Sequence, residues 1–431
     1  MASPSDNPRC PWNFLSFRFI LGVTPLGNLG VEEQCMVLSE DLEPLPSRSR
    51  ILSGYRLSEV IRQRAWVEID QGALVHNVQQ FKRLIKPETA LMAVVKADAY
   101  GHGAIRVAQT ALEAGADWLA IATLGEGIEL REAGITAPIL ILGGINTPEE
   151  IQAIAHWQLQ PTLGSVAQAQ LFNRVLDDFG VRLPVHLKLD TGMSRLGTPW
   201  RQAVDFAKTV NALPQLHLAS VYSHLATADD PNPATMLKQR QRFEMAIACL
   251  RQAKIALPCL HLANSAATLH GLGWHYNLVR VGLGLYGLYP APHLGDRLDL
   301  QPVLAVKAKI TQIKTIPAGT GVSYGHQFVS DREMQIAVVG IGYADGIPRN
   351  LSNQLQVLLR GQFVPQIGAI TMDQLMIDVS TIPNPQVGEV ITLIGRDGQH
   401  HISADAWATR LGTISWEILC GFKHRLPRIL R

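Results

Sequence analysis

Residues 91–122 have the sequence LMAVVKADAYGHGAIRVAQTALEAGADWLAIA, and this stretch contains the pattern that decides the fold. A short β-rich run at 91–96 is followed by an amphipathic stretch at 105–114 and by a second β-rich run at 117–122. Alternation of short apolar strands with amphipathic helices is typical of a parallel α/β sheet. The stretch therefore predicts a strand-helix-strand unit.

Eight β-rich runs of this kind follow one another along the chain. They lie at 91–96, 117–122, 137–142, 159–163, 183–189, 216–223, 258–263 and 276–281. Helices are predicted between most of them, at 105–114, 148–156, 166–177 and 235–254. Eight strand-helix units in about 200 residues fit a closed (β/α)8 barrel, the TIM barrel, better than an open sheet of that width, whose edges would need protection.

The pattern divides the chain into three parts. Residues 1–62 are rich in proline and show no sustained period, which predicts an irregular N-terminal extension. Residues 63–300 are assigned to the barrel. Residues 301–431 change to alternating strands, so a mostly β domain is expected there, with strands at 303–314, 334–341, 355–359 and 390–394. A helix at 404–411 is predicted from Ser403 as N-cap and Gly412 just past its end.

The composition excludes several classes of protein. The 38 Lys and Arg nearly balance the 36 Asp and Glu, so no broad basic surface is expected for nucleic acid or anionic lipid. No apolar run reaches the roughly 18 residues of a membrane span. Five scattered cysteines without a CxxC pair favour a reducing cytoplasm over a disulfide framework or a zinc site. Since no HExxH occurs and His400 and His401 are adjacent, no catalytic metal is expected.

Polar and ionisable residues lie at the ends of the predicted strands, where TIM barrels carry their active sites. They are Lys96, Lys188, His224, Asn264, Ser265 and Arg280. Each alone also fits a structural role, as a strand-end lysine, a hydrogen-bonded histidine, a helix N-cap or a surface ion pair. Their shared location predicts instead that they converge on one mouth of the barrel.

Residues 282–287, GLGLYG, have the GxGxxG spacing of a phosphate-binding loop and follow a predicted strand. A dinucleotide fold would need a helix next, but Pro290 and another proline two residues later interrupt it. The loops after strands seven and eight form the usual phosphate site of a TIM barrel, and here they hold Ser265 and Gly282. With Lys96 on strand one, this arrangement suggests pyridoxal phosphate bound as a Schiff base.

Nine motifs, in this order over residues 64–431, resemble the alanine racemase family. They are AVVKADAYGHG (93–103), KLDTGMSRLG (188–197), SHLATADD (223–230), HLANSAA (261–267), RVGLGLYG (280–287), GVSYGH (321–326), GYADGIPR (342–349), TMDQ (371–374) and RLPR (425–428). The resemblance implies a barrel followed by a β domain, pyridoxal phosphate as cofactor, and a head-to-tail homodimer in which the partner completes each active site. It also implies interconversion of L-alanine and D-alanine, which supplies D-alanine for cell-wall peptidoglycan.

The resemblance also assigns the residues that act on the substrate. Lys96 is expected to form the Schiff base and to act as the base on D-alanine, whereas Tyr324 of the other subunit is expected to act on L-alanine. Arg195 and the backbone N–H of Met372 are expected to hold the substrate carboxylate. Lys188 matches a lysine that some family members carry as a carbamate, whose negative charge would orient Arg195.

The cofactor contacts follow from the same resemblance. Those expected at the phosphate are Tyr100, Ser265, Gly282 and Leu283, with Asn264 in the adjacent loop. Arg280 fits the position facing the pyridine nitrogen, where a guanidinium leaves the ring unprotonated. Ionising a free phenol at pH 7 costs about 4 kcal/mol, and His224 and Arg280 are expected to assist that step at Tyr324. Asp373 fits two interpretations, a residue that shapes the substrate entrance of the partner and a turn aspartate.

One residue departs from the family pattern. Trp416, in TISWEIL, lies where the family usually has a tyrosine whose hydroxyl contacts the phosphate. An indole N–H donates a hydrogen bond but cannot accept one. Because losing one hydrogen bond to a charged group costs about 1.5–3 kcal/mol, weaker retention of the cofactor is expected.

Three other functions fit parts of the sequence. A pyridoxal phosphate decarboxylase would share the two-domain architecture, although GVSYGH and TMDQ favour the racemase. A non-catalytic carrier of pyridoxal phosphate would resemble the barrel alone, so the β domain with Tyr324 argues against it. A broader amino-acid racemase that accepts serine stays open, because spacing does not reveal the size of the substrate pocket.

Overall fold

The computed structural model describes residues 64–431, and the predicted extension at 1–62 lies outside these residues. The first ten strands are β1 Ala65–Ile69, β2 Ala90–Val94, β3 Trp118–Ile121, β4 Ile139–Ile141, β5 Gln160–Leu163, β6 Leu183–Asp190, β7 Thr198–Pro199, β8 Leu216–Tyr222, β9 Leu260–His261 and β10 Leu278–Val281. Eight of them, all except β1 and β7, are parallel neighbours in one sheet. Since β10 pairs with β2 and β5 pairs with β6, the sheet closes into a barrel.

Helical segments lie between the strands of this part of the chain. They are α1 Gln71–Leu84, α2 Lys96–Gly101, α3 Ala104–Glu113, α4 Leu124–Glu132, α5 Pro148–His156, α6 Val166–Asp177, α7 Ala203–Ala212, α8 Ala234–Gln252 and α9 Ser265–Leu269. Their starts are set by local sequence. At α5, for example, the Thr147 hydroxyl accepts a hydrogen bond from Glu150 N, the Glu150 carboxylate accepts one from Thr147 N, and Pro148 occupies the first turn.

The second part of the chain is mostly β, as predicted. Its strands are β11 Leu304–Ile316, β12 Gly321–Val322, β13 Phe328–Val329, β14 Met334–Val339, β15 Gln356–Leu359, β16 Gln362–Ile367, β17 Leu375–Asp378, β18 Val390–Asp397, β19 His400–Ile402 and β20 Arg428–Leu430. Two helices lie near its end, α10 Ala404–Leu411 and α11 Ser415–Gly421. Ser403 Oγ caps α10 by accepting from Ala406 N at 3.1 Å, and Gly412 ends it with φ +66°, as the sequence predicts.

Strand β1 does not belong to the barrel, although the boundary predicted from the sequence places it there. The predicted barrel begins at residue 63, but β1 pairs antiparallel with β11 and parallel with β20, inside the β sheet. The chain therefore starts in the β sheet, forms the barrel, and returns to the same sheet. A local apolar run carries no information about which sheet it joins, because strand pairing is a long-range contact.

Part of the barrel interior is polar. Leu91, Val279 and similar side chains pack outward against the helices. Inside, several polar side chains are almost completely buried: Thr162, His186, Lys188, Ser220, Tyr222, His261 and Arg280. Burying such groups is unfavourable unless they are hydrogen-bonded or serve a function, so this interior marks the region of the site.

Candidate active site

A cavity of 630 Å³ lies at the carboxyl ends of the barrel strands. Eleven of the site residues predicted from the sequence line it: Lys96, Tyr100, Lys188, Arg195, His224, Asn264, Ser265, Arg280, Gly282, Leu283 and Trp416. The predicted convergence of the strand-end residues is therefore what the structure shows.

Lys96 follows β2 and begins a turn of unusual backbone geometry. The next four residues, 97–100, have φ between 52° and 54°, which is the left-handed helical region. None of them is glycine, and each such residue costs roughly 1–2 kcal/mol. The turn is held by its neighbours. Glu126 Oε1 accepts from Ala97 N at 2.7 Å, and Asp98 Oδ1 accepts from Ala104 N at 2.8 Å.

The two lysines of the cavity have altered protonation. Partial burial, assisted by the charge of Arg195, lowers the pKa of Lys96. Burial, followed by the charges of Arg280 and Arg195, lowers the pKa of Lys188 to about 8. The Lys188 ammonium also lies 5.5 Å from the centre of the Tyr222 ring. A larger fraction of both amines is therefore neutral and nucleophilic than in water.

The loops after β9 and β10 form a cradle of donors. Ser265 Oγ accepts from Gly282 N at 3.0 Å, and Asn264 Oδ1 caps α9 by accepting from Ala267 N at 3.0 Å. A Cβ built on Gly282 would lie 2.7 Å from the Tyr100 hydroxyl, so the close approach of the two residues requires glycine. Burial raises the pKa of Tyr100, and its hydroxyl keeps its proton. Hydroxyls and backbone N–H groups that lie close together can donate hydrogen bonds to the oxygens of a phosphate.

Arg280 lies on β10 and is buried under the cavity. Its guanidinium donates to Ser223 O at 3.0 Å and to Leu262 O at 3.2 Å, and it contacts Nδ1 of both His261, at 2.9 Å, and His224, at 3.0 Å. Burial lowers the pKa of Arg280 to about 10, so the group stays charged at neutral pH. The pKa of His224 is well below its usual range, because of burial and then the charge of Arg280.

Three predicted site residues lie on the β domain, outside the cavity of their own chain. Tyr324, in the turn between β12 and β13, is 71% exposed, and Met372 is 52% exposed. Asp373 is paired with Arg425 at 2.7 Å. The segment around Met372 is held by Ala344 N, which donates to Met372 O at 3.0 Å. The single chain therefore does not bring these residues to Lys96.

Sequence reasoning missed three residues of the site. Glu126, which accepts from Ala97 N, belongs to the capping box of α4, and the spacing TLGE at 123–126 could have revealed it. Tyr222, beside Lys188 and Arg280, lies two residues before the predicted His224. Cys420 lines the cavity from α11 and had no sequence signal.

Comparisons with known proteins identify the chain. Models of the alanine racemase N-terminal and C-terminal domains match residues 69–290 and 303–430. The chain belongs to the alanine racemase family. Alanine racemase from Synechocystis sp. is 77% identical over 371 residues, which cover 86% of this chain and 100% of that protein. These matches confirm the resemblance drawn from the nine motifs and the prediction of an isomerase with alanine racemase activity.

Solved structures of alanine racemases share the fold. The enzyme from Bacillus anthracis with bound L-Ala-P has a TM-score of 0.81 at 38% identity, covering 85% of this chain and 95% of that one. The enzyme from Bartonella henselae with covalently bound pyridoxal phosphate has a TM-score of 0.76 at 30% identity, covering 85% and 99%. The predicted barrel followed by a β domain is thus confirmed.

Two further observations concern the described residues. Among residues 64–431, no group of three or more His, Cys, Asp or Glu side chains is placed to hold a metal ion. Within the same part of the chain, no helix is both long and apolar enough to cross a membrane.

Proposed function

We propose that this chain, as a cytoplasmic homodimer, interconverts L-alanine and D-alanine with pyridoxal phosphate and supplies D-alanine for peptidoglycan. The observation that carries the proposal is the cavity itself. It joins Lys96, whose pKa is lowered by burial, with a phosphate cradle around Gly282 and a buried Arg280. The alanine racemase relatives support the choice of substrate.

The residues present fit pyridoxal phosphate. Phosphate would be held by the hydroxyls of Tyr100 and Ser265 and by the loop at Gly282 and Leu283, where there is no room for a side chain at 282. Trp416 and Asn264 border the same space, and Arg280 is the cation below it. When bound, the cofactor supplies the electron-withdrawing system that stabilises negative charge on the α-carbon of alanine.

Lys96 is the proposed base on the D-alanine side. Its lowered pKa leaves more of the amine neutral at pH 7, and only a neutral amine can accept the α-proton. The left-handed turn that follows Lys96 fixes where its side chain starts. Inversion needs a second proton donor and acceptor on the opposite face of the substrate.

Tyr324 of the partner subunit is the proposed second base. Its exposure on the β domain makes it available to another subunit but not to its own cavity. Arginine can only donate hydrogen bonds, so Nδ1 of His224 must accept from Arg280 and the ring proton must be on Nε2. A phenolate near that N–H and the Arg280 charge is stabilised relative to water.

Arg195 is the proposed anchor for the substrate carboxylate, together with the backbone N–H of Met372 from the partner. Lys188 lies in the same cavity. A neutral Lys188 amine is the form that reacts with carbon dioxide, and a pKa of about 8 makes that form accessible. A carbamate there would turn a positive neighbour of Arg195 into a negative one. Asp373 of the partner is proposed to shape the entrance.

The test uses α-proton exchange of alanine in heavy water, followed by NMR and chiral separation of the product. We expect exchange and formation of the opposite enantiomer, both abolished in Lys96→Ala. Lys208→Ala, an exposed lysine on α7, is the matched control and should behave as wild type. Tyr324→Phe should lose exchange of L-alanine while keeping that of D-alanine. Absence of exchange in the cofactor-loaded wild type would refute racemisation.

The shared active site is tested by mixing two variants, neither of which is expected to racemise alanine. Lys96→Ala and Tyr324→Phe subunits, dissociated and reassociated in equal amounts, form mixed dimers that hold one intact site. About a quarter of the wild-type racemase activity is expected. Half of the dimers are mixed, and each mixed dimer has one working site of two. No recovery in dimers shown to have exchanged subunits would contradict a site shared between subunits.

A further inference from the structure

Four side chains inside the barrel, three of them buried and the last half-buried, link Arg280 to the opposite end of the barrel. His261 Nδ1 lies 2.9 Å from Arg280 Nη1, and His261 Nε2 lies 3.0 Å from Ser220 Oγ. Ser220 Oγ lies 2.6 Å from His186 Nδ1, and His186 Nε2 lies 2.7 Å from Gln160 Oε1. The path crosses strands β10, β9, β8, β6 and β5, and it ends at the first residue of β5, at the amino end of the barrel.

The direction of the hydrogen bonds in this path is set from its two ends, by the donor Arg280 and the acceptor Gln160 Oε1. Arginine has no acceptor, so Nδ1 of His261 must be unprotonated and its proton must be on Nε2. That N–H donates to Ser220, whose single hydroxyl hydrogen is then free to donate to Nδ1 of His186. The remaining proton of His186 is on Nε2 and donates to Gln160 Oε1, which is an acceptor. Each of these hydrogens is used once, and both ring nitrogens of each histidine and the Ser220 hydroxyl have a partner.

We propose that His261, Ser220, His186 and Gln160 form a one-way hydrogen-bond chain that positions the Arg280 guanidinium under the cofactor site. The role given to Arg280 rests on the proposed function. The four are positioning residues: they act through Arg280 and do not line the cavity. A chain of aligned hydrogen bonds in a low-dielectric interior strengthens each of its members.

Packing and charge support a chain that stays neutral. His261 stacks on Tyr222 with ring centres 4.5 Å apart, and Trp118 meets the edge of His186 at 5.8 Å, so both rings are held in place. The charged groups facing His261 are Arg280 and Lys188. Burial lowers the pKa of His186 to about 3, and burial followed by the charge of Arg280 lowers that of His261. A proton added at Nδ1 of His261 would point at the Arg280 donor and break the path.

Neutron diffraction of the holoenzyme, exchanged into heavy water at pH 7, observes the chain directly. We expect deuterium on Nε2 and not on Nδ1 of both His261 and His186, with the Ser220 deuterium directed at His186. Deuterium on Nδ1 of either ring, or on both nitrogens of one ring, would overturn the inference, whatever the activity of the enzyme.

The positioning role is tested by Ser220→Ala, which cuts the chain in the middle. Thr89→Val is the matched control, because it removes another buried barrel hydroxyl, one that donates to Tyr276 O outside the chain. We expect Ser220→Ala to lower kcat about five-fold with KM for alanine unchanged, and to lengthen the distance between Arg280 Nη1 and His261 Nδ1 beyond its present 2.9 Å. Thr89→Val should do neither.

The outcomes separate this inference from the proposed function. Equal kcat in Ser220→Ala and Thr89→Val would overturn the positioning role, even if the wild type racemises alanine. If Ser220→Ala does not fold, Gln160→Leu cuts the chain at its half-buried end and gives the same comparison. If the deuterium pattern is as expected but the loaded wild type exchanges no α-proton, the hydrogen-bond chain stands and the proposed function fails.

Discussion

At the residue scale, Gly282 decides whether the phosphate cradle can form. A Cβ at this position would lie 2.7 Å from the Tyr100 hydroxyl, closer than real Cβ atoms come to other atoms, and 3.1 Å from its ring, closer than most of them do. The sequence pattern GLGLYG pointed to this loop, but three of its residues are glycine and the pattern does not say which of them needs to be glycine. The structure indicates that the need at 282 is a steric one.

We expect Gly282→Ala to weaken binding of pyridoxal phosphate at least ten-fold, about 1.4 kcal/mol, because Tyr100 must move away from the phosphate. The measurement is a titration of apoenzyme with cofactor, followed by absorbance. Gly125→Ala on α4, where an added Cβ meets nothing within 4 Å, is the control and should bind as wild type. Equal affinity of the two variants would show that the cradle tolerates a side chain at 282.

At the element scale, the left-handed turn after Lys96 is the feature that most needs support from its surroundings. Its four non-glycine residues are unfavourable in this conformation, and the hydrogen bond from Ala104 N to Asp98 Oδ1 ties the turn to the start of α3. Arg428 of the RLPR motif donates to Gly101 O at 3.0 Å from the other side. The position of Lys96 therefore depends on an element that the other end of the chain helps to hold.

Removing the Asp98 carboxylate is expected to destabilise this turn. Asp98→Ala should lower the free energy of unfolding by about 1 kcal/mol, the usual value of a helix-start hydrogen bond, as measured by urea denaturation. Asp98→Asn keeps the acceptor oxygen and also tolerates a left-handed backbone, so it should recover most of the loss. If Asp98→Asn and Asp98→Ala are equally destabilised, the stabilising feature is the negative charge of Asp98 near Arg428 and not its hydrogen bond.

At the scale of the whole molecule, buried neutral histidines predict sensitivity to acid. Burial lowers the pKa of His102 to about 4 and that of His186 to about 3. In the unfolded chain a histidine titrates near 6.5, so below that pH the unfolded state binds protons that the folded state excludes. Stability is therefore unaffected by these groups above pH 6.5 and falls as the pH drops from 6.5 toward 4.

The expected loss between pH 6.5 and 5 is roughly 2 kcal/mol for each such histidine, measured by urea denaturation at a series of pH values. The slope of the free energy of unfolding against pH reports how many more protons the unfolded state binds. In His102→Gln this number should fall by about one between pH 6.5 and 5. His217→Gln, at an exposed position of β8, should leave it unchanged. A wild type whose stability is constant from pH 6.5 to 5 would contradict neutral burial of these rings.

The sequence by itself determined the barrel, because its signals are local. Each strand is a short apolar run followed by an amphipathic stretch, so all eight predicted strands end within two residues of the observed ones. Helix α10 is bounded as predicted because its N-cap serine and its terminal glycine are chemical signals at fixed positions. The strand-end residues that line the cavity followed from the rule that barrel sites lie at carboxyl ends.

Only the tertiary structure decided the rest, because it depends on contacts between residues distant in sequence. These contacts place β1 beside β11 and β20, leave Tyr324 exposed on the β domain, and align His186 with His261 through Ser220. The left-handed turn after Lys96 has no local signal, since its residues individually disfavour that backbone and neighbours hold it. Local chemistry thus specified which elements form, and long-range packing specified how their side chains meet.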